Sequence, residues 1–172
     1  MYYNMNENIN KVIDGLYIGN YKAALSKEII NKYNIGSIVN CTKRNDRFDN
    51  KDDIYEMRYL QIPITDPPNA EDIEYLNKNY KNINYWIDLT IEHTNILIHC
   101  EMGSQRSAAV VAIYLMHKFN NLENTYKKIN CIDVCNYLKK IRPICFFGNI
   151  NYIKSLEFVQ QEIDKSGEQI NN

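Results

Sequence analysis

A chain of 172 residues has room for one domain with a full core and little room for two. Its composition, 45% hydrophobic and 24% charged, is ordinary for a globular protein. A formal net charge of -1 excludes attraction to nucleic acid or to an acidic membrane by bulk charge, so any anionic ligand must be recognised at a local site. No apolar run reaches the roughly 18 residues of a membrane span, and the start MYYNMNENIN lacks the basic-then-apolar pattern of a leader. The expected setting is the cytoplasm, with the nucleus also open, and no membrane contact. The five cysteines, Cys41, Cys100, Cys131, Cys135 and Cys145, are odd in number and scattered. Without a C-x-x-C pair or Cys/His ligand spacing they indicate neither a disulfide scaffold nor a zinc site.

In chain order, residues 1–8 are polar and read as a disordered start. KVIDGLYIGN reads as a strand, or as two short strands about an Asp14-Gly15 turn. KAALSKEIINKYN has helical spacing and stops at Asn34, with Gly36 just beyond. IGSIVNCT is a short β-branched run that predicts a buried strand, and EMRYLQIPI predicts another, closed by the turn TDPPN. With Asn69 as N-cap, the stretch beginning AEDIEYLNKNY repeats apolar residues at helical intervals (Ile73, Leu76, Tyr80, Ile83, Ile87), which predicts a long amphipathic helix. NILIHC is apolar up to His99, as a central strand covered on both faces should be. SAAVVAIYLMHKF is apolar on most sides and predicts a buried helix. IDVCNYLKKI, with Cys135 and the preceding Cys131 on one face, and INYIKSLEFVQQEI predict two more helices. Residues 165–172 read as a disordered tail. The alternation predicts an α/β fold, a single domain over 9–164 with a central, mostly parallel sheet flanked by helices.

In such a sheet, ligands bind beyond the carboxyl ends of the strands. The stretch NILIHCEMGSQRS puts Cys100 at one such end and Arg106 at the start of the buried helix. Consecutive N–H groups in a tight loop that ends at a helix N-terminus can cradle a tetrahedral oxyanion. Gly103 allows the loop to turn back with positive φ, and Arg106 offers a planar fork of donors to two phosphate oxygens. The same positive field favours Cys100 as thiolate, which can attack a bound phosphorus and form a phosphocysteine. The alternative is a buried Cys that ends a strand beside a polar turn. The combination of His99, Gly103 and Ser107 with a buried strand before and a buried helix after outweighs it.

HCEMGSQRS resembles the H-C-x-x-G-x-x-R-S/T signature of the cysteine-based protein tyrosine phosphatases, and the wider chain resembles their compact dual-specificity branch. LYIGNYKAA is similar to the branch's opening, IGSIVNCT to one of its strands, and YLQIPITD to the strand and turn that carry the general acid. AIYLM resembles the helix after the signature, and RPICFFGNINY is a looser version of R-P-x-x-x-P-N-x-x-F. The resemblance covers about residues 10–160. It implies the cysteine-phosphatase fold, with no cofactor and no metal. Phosphorylated proteins are the expected substrates, with hydrolysis of phosphotyrosine and of phosphoserine or phosphothreonine in a shallow pocket. It also implies the site: Cys100 as nucleophile, and Glu101, Met102, Gly103, Ser104, Gln105 and Arg106 as the phosphate-binding loop. Asp66 is the implied general acid, although by residue type alone it reads more readily as a turn Asp beside proline, and Asp72 is a weaker rival. His99 is implied to be buried and to tune the thiolate rather than act as a base, and Ser107 to donate to the sulfur. Asn149 resembles the Asn that braces the loop, and Arg142 reads either as a rim residue that meets a second phosphate or as an exposed helix end. Cys41, in VNCT, matches a cysteine that in related lipid phosphatases forms a reversible disulfide with the nucleophile; a buried core thiol is the other reading.

Three rivals to an active protein phosphatase stay open at this point. A binding module would keep the cradle without turnover, but the intact Cys100, Arg106 and Asp66 count against it. RNA 5′-triphosphatase and phosphoinositide phosphatase activities belong to some relatives, and both are disfavoured by a loop interior that carries no base besides Arg106. Lys43, Arg44 and Arg47 could supply a basic rim or could simply be solvated. No nucleic-acid partner is expected, and the segment over 119–133, longer than most relatives carry, has no assigned role.

Overall fold

The computed structural model of the chain describes residues 8–48, 57–120 and 128–168. Five strands form one sheet: β1 (Ile9–Ile13), β2 (Leu16–Asn20), β3 (Ile35–Asn40), β4 (Arg58–Gln61) and β5 (Asn95–Cys100). Their order across the sheet is β1-β2-β5-β3-β4, parallel throughout except for β1, which pairs antiparallel to β2. β5 is therefore the central strand that its unbroken apolar run predicts. EMRYLQIPI departs from expectation: its regular part is only β4, a half-exposed edge strand. Arg58 and Gln61 are the sequence trace of that, since polar residues tolerate an edge and not a centre.

The helices are α1 (Tyr21–Leu25), α2 (Lys27–Lys32), α3 (Ala70–Ile91), α4 (Arg106–Asn120), α5 (Cys131–Ile141) and α6 (Ile153–Glu168). Ser26 divides the first predicted helix in two, closing α1 and capping α2 by accepting from the Ile29 N–H. Asn69 caps α3 as expected and forms a capping box with Asp72. α6 runs to Glu168, into the segment read as tail, and Asn8 is tied down by Asn20, whose N–H donates to its carbonyl at 3.0 Å. Residues 121–127 of the 119–133 segment lie outside the described residues. Asn120, just before them, holds the Ile129 carbonyl and N–H through its side-chain amide.

Side chains alternate across a strand, and that alternation builds two cores. Ile96, Ile98 and Cys100 of β5 face the larger core with α3, α4, α5 and α6, while Leu97 faces the smaller one with α1 and α2. Ser107 to Met116 of α4 are all buried, as an all-round apolar helix should be. This packing fixes the carboxyl end of β5 and the first turn of α4 relative to each other, and with them the loop between.

Candidate active site

The loop from Glu101 to Gln105 gains its shape from where its carbonyls are pulled. The Glu101 carbonyl accepts from the Tyr21 N–H at 3.3 Å and that of Ser104 from the Phe146 N–H at 2.9 Å. The Met102 and Gly103 carbonyls both accept from the Arg142 guanidinium, at 3.0 and 2.8 Å, and the Gln105 carbonyl enters the α4 ladder through Ala109. With every carbonyl directed outward, the N–H groups are left to face the concave side, which is the anion cradle. Gly103 has φ +67, and a Cβ there would lie 2.5 Å from the Gly19 carbonyl oxygen, so the loop can press onto β2 only with glycine.

Cys100 lies at the base of this loop, 2% exposed, with Sγ 3.2 Å from Ser107 Oγ. Burial alone would push its thiol up. The Ser107 hydroxyl, the Ser107 and Ser104 backbone and the Arg106 charge together outweigh burial and bring the thiol below its ordinary value. Asp66, Cys100 and Arg106 line one cleft of about 270 Å³, walled by Met102, Ile144 and Phe147. Ser104 and Gln105 complete the lining and are held from behind: Ser104 Oγ donates to the Ile144 carbonyl at 2.6 Å and Gln105 Nε2 to the Asn149 carbonyl at 2.7 Å. Arg106 Nε is buried without a hydrogen-bond partner among the described residues, as a donor intended for a bound anion would be.

Asp66 sits at the mouth, joined to Pro67 by a cis peptide bond, with Oδ1 accepting from Asn151 Nδ2 at 2.6 Å. The neighbouring Thr65 carbonyl accepts from the Tyr152 hydroxyl, which pins the Asp66 turn to the start of α6. Asp72 is excluded as a rival acid: it is buried, accepts from the Asn69 N–H and the Thr65 hydroxyl, and serves the α3 cap. Those bonds overcome burial and hold its carboxyl below the usual range.

Several expectations are corrected. Arg142 neither greets solvent nor lies at the rim; it is 5% exposed and its guanidinium braces the phosphate loop from beneath. Asn149 reaches the loop through its backbone carbonyl, and the amide that touches a functional side chain is Asn151, two residues on. Gln105 is clasped there too, its Oε1 accepting from the Asn151 N–H at 3.2 Å. Between Arg142 and this segment Phe146 and Gly148 take φ of 55 and 79. Glu101 points out of the cleft to a salt bridge with Arg44 at 3.3 Å; Arg44 also binds Asp46 at 2.6 Å, and Arg47 lies over the Tyr59 ring, so these two arginines are engaged rather than a free rim.

His99 follows the strand alternation away from the cleft. It is buried beside Asn40, Thr42 and Tyr21, and burial, assisted by the Arg106 charge, drives its imidazole down to about 4 against the nearby Cys100 backbone. It is neutral at pH 7. Cys41 neighbours Cys100 across the β3–β5 pairing, its N–H donating to the His99 carbonyl at 2.8 Å, and both thiols enter the larger core.

A sheet-end anion cradle with a thiol of depressed pKa at its base and a carboxyl at its mouth defines a cysteine-centred phosphate site. The family described as "Dual specificity phosphatase, catalytic domain" matches residues 16–162. A probable dual specificity protein phosphatase of Dictyostelium discoideum is 32% identical over 92% of this chain and 66% of its own length. Human dual specificity protein phosphatase 18 is 26% identical over 79% of this chain and 64% of its own length. The chain thus spans somewhat under two thirds of these relatives. Among solved structures, DUSP15 superposes with a TM-score of 0.72 at 23% identity, covering 96% of both chains, and human DUSP28 with 0.68 at 18%, covering 92% of this chain and 96% of that one. The chain belongs to the dual specificity phosphatase family.

Proposed function

We propose that the chain is a protein phosphatase that hydrolyses phosphotyrosine, phosphoserine and phosphothreonine monoesters through a phosphocysteine on Cys100. The observation that carries this reading is the shared cleft: Cys100, Arg106 and Asp66 line one space, beside a loop whose carbonyls are bonded to other groups. In the first step the Cys100 thiolate attacks phosphorus, the bond to the ester oxygen breaks, and Asp66 protonates that departing oxygen. The cradle and Arg106 hold the equatorial oxygens throughout, where charge accumulates. In the second step a water attacks the phosphocysteine, Asp66 takes its proton, and the sulfur leaves as thiolate, accepting a hydrogen bond from Ser107. Asn151 holds Asp66 over the cleft between these steps.

The uncharged loop tip, Met102, Ser104 and Gln105, supports phosphoproteins over phosphoinositides or triphosphate-ended RNA, since those polyanions call for further cations around the cradle. The role for Cys41 belongs to the same reading: peroxide would convert the Cys100 thiolate to a sulfenic acid, and the Cys41 thiol would condense with it, releasing water and forming a disulfide. The reaction itself is tested with Asp66→Asn. Its kcat on phosphopeptides should fall by roughly 10² to 10⁴ with KM nearly unchanged. Acid quench of the parent chain during turnover should retain phosphate on the Cys100 peptide. Undiminished hydrolysis by Cys100→Ser would dismiss the covalent route altogether.

A further inference from the structure

Two exposed apolar side chains stand at the mouth of the cleft. Phe147 is 80% and Met102 58% exposed, and both line the space above Cys100. Neither exposure is incidental to chain geometry. Phe146 adopts φ 55, a left-handed conformation that costs free energy for a residue with a Cβ. The turn buries the Phe146 ring in the larger core and donates its N–H to the Ser104 carbonyl. The next residue, Phe147, is thereby turned outward over the phosphate loop. Its position is secured from the backbone, its N–H donating to the Ile144 carbonyl at 3.3 Å and its own carbonyl accepting from Gln105 Nε2 at 3.4 Å.

The charges near the mouth point the same way. Arg106 is on the floor, Arg142 is beneath the loop, and Arg44 is engaged by Asp46 and Glu101. Met102, Ile144 and Phe147 form apolar lips beside the Asp66 carboxyl. A phosphothreonine carries its peptide backbone one carbon from the ester oxygen, so polar amides would be drawn down between these lips. A phosphotyrosine interposes an aromatic ring, which fills the same height with apolar surface and leaves its backbone outside.

We propose that Phe147 and Met102 form an aryl clamp that makes phosphotyrosine the preferred substrate of this site. The proposal rests on the reading of the cleft as a phosphoprotein site. The ring of the substrate packs against Phe147 while its phosphate occupies the cradle, and selectivity resides in the lips rather than in the loop that all phosphate monoesters share.

The test is binding to the full chain carrying Cys100→Ser, measured by fluorescence anisotropy. Two labelled peptides of the same uncharged sequence are compared, one with phosphotyrosine and one with phosphothreonine. The phosphotyrosine peptide should bind about tenfold tighter, the size expected of one aromatic contact with its adjoining apolar area. Adding Phe147→Ala should bring the two affinities to within about twofold by weakening phosphotyrosine alone, and Phe147→Trp should preserve the preference. Met102→Ala should reduce it partway. Thermal melts of the variants establish that these exposed substitutions leave the fold intact. Equal affinities at the outset, or a preference that survives Phe147→Ala, overturn the clamp. Hydrolysis of a small aryl phosphate by the wild-type chain is measured alongside. If it proceeds while the preference is missing, the clamp alone is wrong. If neither phosphopeptide binds and no hydrolysis occurs, the phosphoprotein reading fails with it.

Discussion

Two cysteines end neighbouring strands of one sheet, at the same level and facing the same core, and their thiols are driven in opposite directions. Cys41, after β3, is fully buried; burial first, and then the proximity of Cys100, push it well above the ordinary thiol value despite the Arg106 charge. Cys100, at the end of β5, is almost as deeply buried and is brought below that value. The strands are alike, so the difference lies in the turns beyond them. After β3 the chain turns on Asn40, whose Oδ1 accepts from the Thr42 N–H and hydroxyl, and whose amide donates to the Arg44 carbonyl. Those donors are consumed locally. After β5 the carbonyls are consumed instead, by Tyr21, Arg142 and Phe146, which releases the amide hydrogens toward the sulfur. The Ser107 hydroxyl, the Ser107 and Ser104 backbone and the Arg106 charge, and not depth, set the direction at Cys100.

The largest expected consequence is a difference in alkylation. Iodoacetamide at neutral pH should modify Cys100 more than about 100-fold faster than Cys41, since the thiolate is the reactive form. Comparable labelling of the two, mapped by peptide mass, would remove the contrast at its root. Next comes the support of the loop. Arg142→Met deletes donors to two carbonyls that stay buried, which should cost about 3 kcal/mol in denaturant unfolding. It should also slow Cys100 alkylation as the loop peptides lose their orientation. An effect on stability with unchanged thiol reactivity would show that the outward pull on the carbonyls does not set the field. Smaller again is Ser107→Ala. The Ser107 hydroxyl lowers the Cys100 thiol, and kcat/KM rises with pH as that thiol ionises. Removing the hydroxyl therefore moves this acid limb to higher pH, with about a tenfold loss of rate at neutral pH. A limb that stays in place would assign the depression to backbone and Arg106 alone.

Much of this site is legible in the amino-acid sequence because it is local. Cys100, Gly103, Arg106 and Ser107 lie within one strand–loop–helix unit, where an apolar run, a glycine and a buried helix each leave a periodic or compositional trace. Asp66 is harder: by type it reads as a turn Asp beside proline, and only the resemblance singles it out. Arg142 is invisible by type, since an arginine closing a helix beside proline usually meets solvent; its role depends on carbonyls some 40 residues away. Asn151 stands two residues beyond the expected Asn149, and no periodic signature marks it. Phe147 is hidden for a different reason: either of two adjacent phenylalanines suits a core, and only the left-handed turn at Phe146 sends the second to the cleft.

The smallest effect is the one that separates position from function for the second thiol. Cys41→Ala removes a buried sulfur that takes no part in holding the Cys100 thiolate, so kcat/KM at neutral pH should stay within about twofold of the parent chain. The structure makes a narrower demand after oxidation. If Cys41 condenses with the sulfenic acid of Cys100, a brief peroxide pulse and then a thiol reductant should restore activity in the parent chain. The Cys41→Ala variant should lose it progressively, as unprotected Cys100 advances to the sulfinic acid. Equal recovery in both chains, with sulfinic Cys100 and unmodified Cys41 in the parent, would leave Cys41 as a core side chain whose place beside the nucleophile comes only from the parallel pairing of β3 and β5.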